Sequence, residues 1–262
     1  MRGRPARPNA AARQPTETRR ATKVRRATET RRGPALRLLL AGLLPASLSV
    51  FAAPAHAEIA FSGAIATDDR FRGDSTSGNR PVATVSAAYD DVRGFYLGLS
   101  FTAVAKDGVR PLRSIQYVGY AKRLKSGLSL DVGITHRISS HYYTGEYGRE
   151  LAEAYVGIVG RRLSSHVFFS PDYDGHGGDA LYGEVEGLLL DRGNWSLSSH
   201  VGMLLPPREA PAESRKVELD GRLGATRRFG RTAISFNWIA ATPAHDSKNW
   251  RGTILLSLSH SF

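Results

Sequence analysis

Arg251-Gly-Thr-Ile-Leu-Leu-Ser-Leu-Ser-His-Ser-Phe262 decides the fold. Ile254, Leu256, Leu258, His260 and Phe262 share one parity, and Leu255, Ser257, Ser259 and Ser261 share the other. Alternation over this length is the pattern of a β-strand with one apolar and one small polar face. The stretch stops on an aromatic of the apolar face, as does the closing strand of an outer-membrane barrel, whose interface aromatics form a girdle.

Eleven further stretches of the same kind precede it. Their centres fall at 58–66, 81–90, 95–104, 113–124, 128–137, 151–159, 164–170, 180–190, 195–205, 217–229 and 232–241. The connections alternate long and short from first to last. Long ones cover 67–80, 105–112, 138–150, 171–179, 206–216 and 242–250, and short ones such as Asp90–Gly94 and Gly230-Arg231 separate them. Short periplasmic turns and longer outer loops are the plan of a membrane barrel. A soluble β-sandwich explains the alternation but not the loop asymmetry. The expected fold is therefore all-β, a 12-stranded antiparallel transmembrane β-barrel following a cleaved N-terminal signal segment. Phe95, Trp195, Phe229 and Phe262 fall next to short turns or the terminus, where they would form the periplasmic aromatic belt. Charges on the apolar parity are confined to Arg113, Arg123 and Arg227, at or near strand ends.

Charge supports this location. The formal net charge is +12, a value that suggests nucleic acid or an anionic surface. Residues 1–57 hold 12 of the 36 Lys and Arg and 2 of the 24 Asp and Glu, so the remainder is close to neutral. The basic excess belongs to a leader, and no nucleic-acid partner is expected. The apolar run Leu38–Phe51 follows Arg37 and leads to Ala55-His56-Ala57, a small-x-small site that predicts cleavage between Ala57 and Glu58. Residues 1–33, rich in Arg, Ala, Pro and Thr, cannot build a core and are expected to be disordered. The domain plan is thus a 1–33 extension, a 34–57 signal peptide and a 58–262 barrel. Fifty-seven residues exceed the usual ~15–30 of a signal peptide, so translation is expected to start downstream, at Val24 or Leu36. The chain has no Cys, which excludes a disulfide scaffold and a thiolate metal site.

The segment Thr67-Asp-Asp-Arg-Phe-Arg-Gly-Asp-Ser75, followed by Pro81, resembles the opening segment of the Gcw_chp family of uncharacterised proteobacterial outer-membrane proteins. Gly127–Gly133, Glu153–Gly157 and Ser170–Tyr173 are similar to later family segments, in matching order. Asp69 stands where the family pattern has an aromatic, and Asp74 where it has an aliphatic residue. The resemblance implies an outer-membrane location and supplies no reaction.

The polar parity would line the lumen with Asp131, Glu153, Glu184, Glu186, Glu218 and Asp220 against Lys122, Arg137 and Arg222. Two readings stay open. One is a narrow, mildly cation-preferring passage. The other is a structural or interaction barrel whose lumen is filled by salt bridges. The motif Arg70-Phe71-Arg72-Gly73 lies in the first outer loop. Its arginines could meet lipopolysaccharide phosphates or fold inward to constrict a pore, or Phe71 and Gly73 could simply anchor the loop. A lipid hydrolase is the lesser alternative. Histidines are present (His136, His141, His166, His176, His200, His245 and His260), but there is no G-x-S-x-G, and His260 faces away from Ser259 and Ser261. No enzymatic activity, cofactor or metal is expected. The expected partners are outer-membrane lipid, lipopolysaccharide and the barrel-assembly machinery, the last through Phe262.

Overall fold

The computed structural model describes residues 58–144, 149–173, 175, 178–205, 217–242 and 251–262. The expected leader, the Ala57 side of the cleavage point, and Tyr147, Asp174, His176 and His245 lie outside these residues.

The alternating stretches form the staves of a closed antiparallel barrel. In chain order they are β1 (Glu58–Ala66), β4 (Val82–Asp90), β5 (Phe95–Ala105), β6 (Val109–Arg123), β7 (Ser129–Ser139), β8 (Glu150–Val159), β9 (Leu163–Ser170), β10 (Ala180–Arg192), β11 (Trp195–Leu205), β12 (Glu218–Phe229), β13 (Thr232–Ala241) and β14 (Arg251–Ser261). A small hairpin between β1 and β4 supplies β2 (Arg70–Phe71) and β3 (Asp74–Ser75). Each stave pairs with its sequence neighbour. β14 closes the ring on β1, with Ser62 opposite Ser261 and Ala66 opposite Ser257. Closure pairs the backbone edges that hydrocarbon would otherwise leave unsatisfied.

The parity of β14 is as its sequence reads. Ile254, Leu256, Leu258 and Phe262 face outward and are exposed, whereas Leu255 and Ser257 are buried inside. Phe95, Trp195 and Phe229 are exposed on the same outer surface beside short turns. Arg227 also faces outward. Its guanidinium stacks 5.3 Å from the Trp195 ring and 4.8 Å from that of Phe229, which keeps the charge at the interface.

One strand departs from its expected parity. The sequence places Ile115, Tyr117, Gly119 and Ala121 of β6 outside and Lys122 in the lumen. The structure reverses this. Ile115 and Ala121 are buried inside, Val118 is 53% exposed on the outer face, and Tyr120 stacks on the outward Phe95 at 4.9 Å. Lys122 therefore points outward, one residue from the strand end, and leaves the lumen set. Arg113 moves inside and is almost fully buried. Both parities of β6 carry large apolar residues, so alternation alone does not choose between them. Pairing does, because Val118 lies opposite the outward Ile134 and Leu97. A register shift between Thr102 and Ala103 lets the outer end of β6 turn both Leu112 and Arg113 inward.

Candidate functional site in the barrel lumen

The first outer loop enters the barrel. Asp68, Asp69, Phe71, Thr76 and Ser77 are buried, as a solvent-facing loop would not be. The β2–β3 hairpin turns at Arg72 and Gly73, both at positive φ (48° and 84°). Only glycine adopts this backbone freely, and a Cβ at Gly73 would overlap that of Ala241 on β13. The hairpin tip thus presses against β13, two staves from β1 around the ring.

Ion pairs hold this plug. Asp69 accepts two bonds from Arg113, at 2.8 Å from Nε and 2.6 Å from Nη2. Burial pushes the Asp69 carboxyl up, but the Arg113 guanidinium and the Thr76 hydroxyl outweigh it and hold it below the usual carboxylate value. Arg70 pairs with Asp68 at 2.8 Å and donates to the Gly73 carbonyl at 2.6 Å. Arg72 reaches β8, where its Nη2 donates to Glu153 at 2.6 Å. Its guanidinium also stacks 3.9 Å from the Tyr182 ring and 4.6 Å from that of Phe71. Arg137 also lies over the Phe71 ring, at 3.8 Å.

Beneath the plug a polar belt crosses the lumen. Asp131 accepts from the Tyr96 hydroxyl at 2.5 Å and lies 3.2 Å from His166 Nε2. The Tyr96 and Tyr155 hydroxyls share a short hydrogen bond. Asp220 accepts from Tyr182 at 2.9 Å and lies 2.8 Å from His200 Nε2. Glu186 meets His200 Nδ1 at 3.3 Å and accepts from Arg222 at 2.8 Å. Glycines make room for these groups. A Cβ at Gly157 would strike the His166 ring, and one at Gly202 would strike Tyr182 and Asp220. Between plug and belt is a cavity of about 120 Å³ that Arg72, Glu153, Tyr155, His166, Phe168, Tyr182 and Glu184 help to line.

The sequence-predicted lumen set is mostly brought together. Asp131, Arg137, Glu153, Glu184, Glu186 and Asp220 are buried inside, Arg222 joins them through Glu186, and Glu218 stands half-buried at the outer end of β12. Lys122 is the exception. Arg70, Phe71, Arg72 and Gly73 form the plug tip, so the inward fold of this motif and its anchoring role coincide. Sequence reasoning did not assign His166, His200, Tyr96, Tyr155, Tyr182 or Arg113 to this centre. The signal existed for the histidines, which share the inward parity of Ser164 and Ser198. Both bond carboxylates rather than a serine hydroxyl. Among the described residues no group of three or more His, Asp or Glu is arranged to hold a metal ion.

The side toward the short turns is different. Ser62, Ser86, Ser196, Ser198, Thr226, Ser259 and Ser261 all face inward yet are only half-buried. Small hydroxyls fill that end of the lumen less tightly than the polar belt does.

The fold matches solved porin barrels. A KdgM porin structure aligns over 78% of this chain and 99% of its own, with a TM-score of 0.50 at 10% identity. A NanC porin structure aligns over the same shares with a TM-score of 0.53 at 8% identity. An outer membrane channel from Pseudomonas putida F1 covers 80% of this chain and 97% of its own, with a TM-score of 0.45 at 11% identity. No curated protein matches the sequence. Closure, loop asymmetry and the apolar outer band place the molecule in the outer membrane of a Gram-negative bacterium. Residues 52–253 match the family described as "Bacterial protein of unknown function (Gcw_chp)", and the chain belongs to that family.

Proposed function

We propose that this protein is a narrow, non-enzymatic transport-type barrel whose passage is set by the inward-folded first outer loop. The observation that carries this reading is the construction of the plug. It is a single hairpin held by ion pairs, with one apolar side chain, Phe71, packed against Leu151, Tyr182 and Leu204. Ion pairs such as Asp69–Arg113 and Arg72–Glu153 can exchange partners, whereas a purely structural filling favours interdigitated apolar side chains throughout.

Planar-bilayer recording of the refolded protein tests the proposal. Stepwise currents are expected, with a larger unit step when residues 70–75 are replaced by a Gly-Ser linker. If neither protein gives steps, the passage reading falls and the filled-lumen barrel takes its place. Lipid and lipopolysaccharide surround the apolar band in this reading. The assembly machinery reads the last strand, where the Phe262 amide donates to the Phe61 carbonyl at 3.0 Å and its ring stays exposed. Deleting Phe262 should reduce the heat-modifiable, membrane-inserted fraction in cells; an unchanged fraction contradicts the role.

A further inference from the structure

Each carboxylate around the lumen cavity has a donor, save one oxygen. Glu153 has Arg72, Asp131 has Tyr96, and Asp220 has Tyr182. Glu186 has Arg222. The Glu184 side chain is 4% exposed and lines the cavity, yet among the described residues its Oε1 has no hydrogen-bond donor. His166 Nδ1 stands 3.8 Å away, beyond hydrogen-bonding reach. A buried carboxylate oxygen without a donor is costly, and a charged donor relieves that cost most.

The same cavity already receives a cation. Arg72 enters it from the plug and finds a carboxylate, Glu153, together with the faces of Tyr182, Phe71 and Tyr173 at 3.9, 4.6 and 5.1 Å. Carboxylate plus aromatic faces is the recognition chemistry of a guanidinium or ammonium group. Phe168 and Tyr155 extend the aromatic wall toward Glu184. Around the cavity, the ion pairs of Arg72 with Glu153 and Arg222 with Glu186 cancel. Asp131, Glu184 and Asp220 then face two imidazoles, His166 and His200, and a further buried cation nearby, Arg137, lies over Phe71 beside the plug rather than against Glu184.

We infer that the lumen cavity binds a small solute bearing a guanidinium or primary ammonium group, with Glu184 as its counter-charge and the Tyr155–Phe168–Tyr182 wall against its carbon body. Arg72 occupies the neighbouring subsite of like chemistry, so the solute and the plug compete for one acidic, aromatic lining. A cavity of about 120 Å³ admits the head group and a short carbon chain. This inference builds on the transport reading by naming the class of solute at the same site.

The test is isothermal titration calorimetry of the refolded full barrel in detergent at pH 8, which requires no conduction. The probes are propylguanidinium, propylammonium and the neutral isostere N-propylurea. Saturable binding of the two cations and none of the urea is expected, with at least about tenfold weaker cation binding in Glu184→Gln (~1.4 kcal/mol). Binding that Glu184→Gln leaves unchanged, equal binding of the urea, or no cation binding by the wild type overturns the inference. If Glu184→Gln does not fold by its heat-modifiable mobility, the wild-type comparison of cations against urea decides alone. Cation binding without bilayer currents would sink the passage and keep the site; currents without cation binding would do the reverse.

Discussion

Replacing Asp69 by Asn should unseat the plug while leaving the barrel closed. Asp69 and Arg113 are both buried, and two bonds of 2.8 and 2.6 Å join them. Asn keeps the shape and loses the charge, so Arg113 is left as an uncompensated buried cation. Breaking a buried pair from one side costs roughly 3–5 kcal/mol. The isosteric amide still accepts one bond, which places the expected cost near the lower end, at about 3 kcal/mol. At 1.36 kcal/mol per tenfold change, the open-to-seated ratio of the plug rises about 150-fold.

The Thr76 amide donates to the Asp69 carbonyl at 2.8 Å and so reads that ratio by hydrogen exchange. Its protection should fall by the same ~150-fold factor, while amides of the β13–β14 ladder keep theirs. The double variant Asp69→Asn with Arg113→Met removes both charges and should recover most of the protection, because an apolar replacement of a whole buried pair is nearly neutral. Thr76 protection that does not change in the single variant, or no recovery in the double one, refutes the assignment of this pair as the anchor.

Gly73→Ala should also unseat the hairpin, since the new Cβ overlaps Ala241 and the backbone is at φ 84°; the left-handed backbone alone costs roughly 1–2 kcal/mol, and a larger unit conductance is the readout. Lowering the pH should open the plug only in strong acid. The folded Asp69 carboxyl titrates below its ordinary value, so its contribution is complete above that value and is lost as pH falls through the depressed one. Thr76 protection should therefore stay level from neutral pH down to about pH 4, and a loss centred on mildly acid pH would contradict it. Val118→Arg should destabilise the bilayer-inserted barrel by roughly 2–4 kcal/mol near the midplane, measured by denaturant unfolding from vesicles, because Val118 faces lipid; no measurable cost would restore the opposite parity of β6.

The staves and their order were legible because period two leaves a strong trace wherever one face meets lipid and the other meets small polar groups. β14 is the clearest case, with Leu256 and Leu258 outside and Ser257 and Ser259 inside. β6 was not legible, because its inward face carries Ile115 and Tyr117 to fill the lumen. Where both faces are apolar, parity is set by the neighbours, and Val118 reads correctly only once it is opposite Ile134. The lumen acids were legible as polar-parity charges, but their partners were not. Tyr96 and Asp131 are 35 residues apart, and Arg72 and Glu153 are 81 apart, so closure of the ring, not local pattern, brings them into contact. Asp69 shows the same limit. Set against the family pattern it reads as a departure from an aromatic, and only the position of Arg113 reveals it as an anchor.

The choice of charge to close the lumen has a mechanical consequence. Removing two ions from water costs nearly what their attraction returns, so a buried salt bridge adds little net stability compared with an apolar filling. Such a bridge is nonetheless demanding about its partner, because either ion left alone is strongly unfavourable. A plug held by Asp69–Arg113 and Arg72–Glu153 is therefore specific in its seat, while the burial of Phe71 against Leu151 and Leu204 supplies apolar stabilisation that the ion pairs do not. In the proposed passage a cationic solute that reaches Glu153 competes with Arg72 for it. The unsatisfied oxygen of Glu184 lies next in line below. The strand register sets Glu184 level with Gly157, below Glu153, and the serines of the short-turn end below both, so in the proposed site a cation that displaces Arg72 has Glu184 next along the lumen.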